Sequence, residues 1–85
     1  MPAKFFIIDK RATKQARKFP LRIHDKIYIA FGKIQKNPLI GEKLGGELQN
    51  YYKLRIGDYR IIYSFDTKKS QVTVIKIEYR QGVYR

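Results

Sequence analysis

The strongest constraint on the fold of this chain is a change of hydrophobic period at Tyr51. From there Tyr52, Leu54 and Ile56 alternate with Lys53 and Arg55, and Tyr59, Ile61, Tyr63 and Phe65 alternate with Arg60, Ile62 and Ser64. Period two places successive side chains on opposite faces of a strand. Gly57-Asp58 between the two runs is a tight-turn pair, so together they predict a hairpin. Asp66 to Ser70 reads as a second polar turn. Gln71 to Tyr79 reads as a third strand, with Thr73, Ile75, Ile77 and Tyr79 on one side and Val72, Val74, Lys76 and Glu78 on the other. The expected product is a three-stranded antiparallel meander.

Before Tyr51 the spacing is helical. Lys4 to Ile8 is a short β-branched and aromatic run that predicts a strand, and Asp9 is placed to cap a helix reaching about Lys18. In that helix Ala12, Ala16 and Phe19 form one narrow apolar stripe among many cations. Pro20 suits the first turn of a second helix, Leu21 to Lys36, whose Ile23, Ile27, Ala30 and Ile34 share a face with Phe31 beside them. Tyr28 and Phe31 are expected to be ordinary helix packing. Asn37-Pro38 ends the helix, because a residue before proline is pushed out of the helical region. Leu39 to Asn50 is expected to be a loop. Its Gly41, Gly45 and Gly46 are followed by no GKS or GKT, so it is not a phosphate-binding loop.

The predicted architecture is α+β: an N-terminal strand, a two-helix antiparallel hairpin and a three-stranded antiparallel meander, with the helices packed on one face of the sheet. Eighty-five residues suffice for one small core, so residues 1–85 are expected to be a single domain.

Charge narrows the function. Nineteen Lys+Arg against seven Asp+Glu give a formal net charge of +12, which adds self-repulsion to the folded state and points to a polyanionic partner. Nucleic acid ranks first, an acidic protein second and an anionic membrane third. The absence of cysteine and a single histidine, His24, exclude a disulfide framework, a thiolate nucleophile and the usual zinc ligand sets. No metal or other cofactor is expected, and His24 is expected to be a helix surface residue. No apolar run approaches the roughly 20 residues of a membrane helix, and the N-terminus lacks the pattern of a signal peptide. A cytoplasmic protein with no membrane partner is the expectation.

If the helices cover the face bearing Leu54, Ile56, Tyr59, Ile61 and Tyr63, the opposite face collects Lys53, Arg55, Arg60, Lys76 and, if the last strand extends, Arg80. Strands about 4.8 Å apart would bring these cations within reach of one or two phosphates. Most strand cations are simply solvated. Arg60 is the exception to weigh, since it lies between Tyr59 and Ile61-Ile62 on the central strand of the meander. Glu42 and Glu47 are expected only to balance local charge.

The segment KLGGELQNYYKLRIGDYRIIY, the later YRQGVYR and the preceding strand, helix pair and NP-containing loop together resemble the RelE/ParE superfamily of toxins, across nearly the whole chain, with the RelE-like branch favoured. The resemblance implies a type II toxin held by an acidic antitoxin protein. For the RelE branch it implies cleavage of mRNA on the ribosome by attack of a ribose 2′-hydroxyl on the adjacent phosphate, leaving a cyclic phosphate, with no metal. The matching positions are Lys53, Arg55 and Arg60 in KLRIGDYR, Arg80 in YRQG and Tyr84 in VYR. Tyr79 and Gly82 depart from the family, which more often has histidine or lysine at the first and an acidic or polar residue at the second.

The chemistry of these residue types suits that reaction. Arginine stays charged near neutral pH, so Arg55, Arg60 and Arg80 can neutralise a phosphorane but are poor bases. Tyr84 or Lys53 is left to move the proton, and Tyr84 could instead stack on a base. An unperturbed tyrosine with a pKa near 10 is only about one-thousandth ionised at pH 7, and neighbouring cations would favour its phenolate. ParE-like relatives share the fold but act on DNA gyrase without known RNA cleavage, and a non-toxic basic RNA-binding module is a third reading.

Overall fold

The computed structural model describes residues 2–46 and 50–79. In chain order they form β1 (Phe5–Ile8), α1 (Lys10–Arg17), α2 (Leu21–Lys36), β2 (Glu42–Lys43), β3 (Tyr51–Ile56), β4 (Tyr59–Asp66) and β5 (Gln71–Tyr79). The strands make one sheet in the order β1-β5-β4-β3-β2. The meander β3-β4-β5 is antiparallel as predicted, β1 joins it parallel to β5, and β2 pairs antiparallel with β3.

The helices begin and bury as their sequences dictate. Asp9 caps α1, its side chain accepting from the Arg11 N–H at 2.9 Å. Ala12 of α1 and Ile27, Ala30 and Ile34 of α2 are buried against Tyr52, Ile61, Tyr63, Val72, Val74 and Ile77 of the sheet. Phe19 and Ile23 pack at the margin of this cluster, and the Phe31 ring stands 5.4 Å from Phe6. Tyr28 does not pack as expected. It is 79% exposed.

Two further expectations are corrected. The Leu39–Asn50 loop contains β2, with Glu42 opposite Lys53 and Lys43 opposite Tyr52. Tyr63 explains why so short a strand is held there: its buried hydroxyl donates to the Pro38 carbonyl at 2.8 Å and accepts the Gly41 N–H at 3.0 Å. A Cβ at Gly41 would lie 2.8 Å from that hydroxyl and 2.9 Å from the Lys53 carbonyl oxygen, so the close approach requires glycine.

The second correction concerns the faces of β5. Ile62 pairs with Lys76 but Tyr63 pairs with Val74, so Ile75 is an extra residue in the ladder. Such a bulge reverses which face later residues meet. Val72 and Val74 therefore join Ile77 in the core, fully buried or nearly so. Thr73 is carried to the uncovered face, and Lys76 and Glu78 remain there opposite Ile62 and Arg60.

Candidate nucleic-acid interface

The sheet face away from the helices is built from alternate residues of three strands. Across one row Lys53, Ile62 and Lys76 are register partners, and across the next Arg55, Arg60 and Glu78. The rows are two residues apart along each strand, about 7 Å. Four of the residues expected at the site, Lys53, Arg55, Arg60 and Lys76, are thus brought together. Arg80 and Tyr84 lie outside the described residues.

The cations differ in how they are held. Arg55 is exposed. Lys53 Nζ stands 3.6 Å from Glu42, which is therefore an edge-strand counterion rather than a loop charge. Lys76 Nζ is 2.9 Å from one carboxylate oxygen of Glu78, while the other oxygen lies 3.6 Å from Arg60 Nη2. Arg60 occupies the middle strand of the five, and its Nε is buried with no hydrogen-bond partner among the described residues. Between Lys53 and Lys76 the Ile62 side chain gives the face an apolar floor, only 9% exposed.

Glu78 is the member of this group that sequence reasoning missed. The signal was present, because Lys76 and Glu78 are two residues apart on one strand and must share a face. His24 accepts no role here: its Nε2 lies 3.0 Å from the Phe19 carbonyl oxygen, where it tacks the interhelical turn to α2.

The arrangement is an open surface, not a cleft. The concavities found among the described residues lie elsewhere. One of about 560 Å³ sits at the opposite end of β3 and β4, lined by Tyr51, Ser64, Asp66 and Lys68 among others. Arg55 borders a groove between α2 and β3. A flat cationic patch with an apolar centre suits an extended polyanion better than a small molecule enclosed in a pocket.

A helix pair on one side of such a sheet and clustered cations on the other define a RelE/ParE-type toxin fold. The family model described as the ParE toxin of type II toxin–antitoxin systems matches residues 6–84, and the chain belongs to that family. Toxin RelG of Mycobacterium tuberculosis is 32% identical over 76 residues, covering 87% of this chain and 87% of that toxin. The toxin–antitoxin complex RelBE2 from the same organism contains a chain that superposes with a TM-score of 0.82 at 28% identity, over 94% of this chain and 93% of that one. The isolated Escherichia coli RelE toxin gives a TM-score of 0.83 at 25% identity, over 94% and 87%. Within the superfamily the chain is RelE-like.

Proposed function

We propose that this toxin is a metal-independent endoribonuclease that cuts mRNA on the ribosome and so inhibits translation. The observation that carries the reading is the meeting of Lys53, Arg55, Arg60 and Lys76 on one uncovered face, with the two arginines in direct register. In the proposed reaction the ribose 2′-oxygen attacks the adjacent phosphorus, its proton passing to a base, and a pentacoordinate phosphorane forms. The bond from phosphorus to the 5′-oxygen then breaks, that oxygen takes up a proton, and a 2′,3′-cyclic phosphate remains. Arg60, with Arg80, neutralises the charge that accumulates on the phosphorane, while Arg55 and Lys76 hold the flanking backbone. Tyr84 and Lys53 are the candidates for the proton transfers. An open face needs a second wall to fix the messenger for in-line attack, and the ribosome would provide it in the cytoplasm.

Antitoxin control follows from the family and from charge. The RelBE2 relative is a toxin–antitoxin complex, and a +12 chain would attract an acidic partner rapidly. Mapping mRNA 5′ ends after brief induction tests the reading. Codon-phased cuts with 5′-hydroxyl ends are expected, and growth arrest should be relieved by Arg60→Ala or Tyr84→Phe. Arrest that persists unchanged in both variants would overturn it.

One observation favours a second reading, inhibition of DNA gyrase without nuclease activity: the family model that matches carries the ParE description. DNA damage on induction, with mRNA left intact, would establish that alternative.

A further inference from the structure

The Glu78 carboxylate lies between Arg60 and Lys76 in the middle of the cationic face, its two oxygens divided between the two cations at 3.6 and 2.9 Å. We propose that Glu78 is an internal stand-in for phosphate, a specificity-determining residue that occupies the anion position between Arg60 and Lys76 and must yield it to the RNA backbone. The inference rests on the reading that this face receives RNA.

Three observations support it. Two oxygens each facing a separate cation reproduce how the two non-bridging oxygens of a phosphodiester would be received. The hold on Arg60 is weak: 3.6 Å is ion-pair distance but beyond a hydrogen bond, and Nε has no hydrogen-bond partner among the described residues. Finally, Arg60, Lys76 and Glu78 side chains are each roughly one-third exposed, between 31% and 37%. Ion pairs so open to solvent contribute little, so a ligand that brings charge-assisted hydrogen bonds can displace the carboxylate at small cost.

Glu42 does not duplicate this role. It approaches Lys53 from the edge strand and is itself 74% exposed. Glu78 alone, among the described residues, is set within the cluster. Its negative charge raises the threshold for anions, so an isolated phosphate competes poorly. A polymer that also engages Lys53 and Arg55 succeeds.

The test uses the purified full chain and a single-stranded RNA oligonucleotide made uncleavable by 2′-deoxy substitution at every position cut in the wild-type reaction, with inorganic phosphate as a second probe. Glu78→Gln keeps size and polarity but removes the charge, and should bind the oligonucleotide about fourfold more tightly at low salt, the equivalent of one unit charge about 5 Å away in water. The log–log salt dependence should steepen by about 0.7, one additional counterion released from a single strand. Inorganic phosphate should gain proportionally more than the oligonucleotide. Glu78→Thr, which suits a strand, should show the same gains, and Lys76→Met should abolish most of the gain from Glu78→Gln.

Equal or weaker binding by both Glu78 variants, with wild-type binding intact, overturns the inference and leaves the nuclease reading standing. Absence of RNA binding by wild type and variants overturns the inference, and growth arrest insensitive to Arg60→Ala would overturn the nuclease reading itself.

Discussion

Arg55 and Arg60 stand directly opposite each other across the β3-β4 ladder. Like charges in that position repel, at a cost of roughly 0.2–1 kcal/mol relative to a neutral pair. Arg55→Gln should therefore stabilise the free protein by a few tenths of a kcal/mol and raise its melting temperature. Adding salt should shrink the gain, because the pair is close to solvent and screened. Thermal melts of both proteins at low and high ionic strength check this. If Arg55 holds RNA, the same substitution should reduce mRNA cleavage, so stability and activity would move in opposite directions.

Arg60 should be intolerant of conservative change. Lysine keeps the charge but not the planar donors that engage two oxygens at once. Arg60→Lys should lose most of the cleavage rate, and Arg60→Ala on the order of 100- to 1000-fold, the usual consequence of removing one donor from a developing oxyanion. Single-turnover cleavage by ribosome-bound toxin is the measurement, with a thermal melt to separate loss of chemistry from loss of fold.

Tyr63 should govern both stability and its alkaline limit. Tyr63→Phe leaves the Pro38 carbonyl and the Gly41 N–H without their partner, which should cost about 1–3 kcal/mol. Burial raises the Tyr63 phenol above its ordinary value of 10.0, the Gly41 N–H lowers it in part, and Tyr52, stacked 5.3 Å away, raises it further. Because the folded value is the higher one, the unfolded chain ionises first. The contribution of Tyr63 is complete below pH 10 and is lost as the pH rises through the raised value. Urea titrations from pH 8 to 11 should show stability falling above 10, with a smaller fall in Tyr63→Phe.

Gln15 of α1 supports β5 from outside the ladder. Its side-chain oxygen accepts the Ile77 N–H at 2.7 Å, beyond the point where β1, paired only as far as Val74, can do so. Gln15→Leu should leave that donor unsatisfied, cost about 1–3 kcal/mol and accelerate hydrogen exchange at the Ile77 amide.

The parts of the fold that were legible in the sequence are those set by local periodicity. Tyr52, Leu54 and Ile56 against Lys53 and Arg55 declare both a strand and its faces, and Ile27, Ala30 and Ile34 declare the buried side of α2. The faces of β5 were not legible. VTVIKIE alternates smoothly in isolation, and Ile75 becomes an extra residue only through pairing with Ile62 and Tyr63. Strand β2 carries no pattern in its two residues, since it depends on Tyr63 reaching Pro38 and Gly41 from more than 20 positions along the chain. Of the site, Lys53, Arg55, Arg60 and Lys76 followed from parity. Of the counterions, Glu78 is legible from the same parity with Lys76, but Glu42 is not, because it reaches Lys53 through a contact that no short-range spacing encodes.

The extra residue at Ile75 also makes the outer half of β5 a matter of counting. Loss of this single codon would bring Val74 and Ile77 two positions apart, and an unbulged strand would then keep Val72, Val74 and Ile77 on the core face and Lys76 and Glu78 on the open one. A three-nucleotide deletion at Ile75 would thus straighten the strand while sparing both its charged and its apolar face.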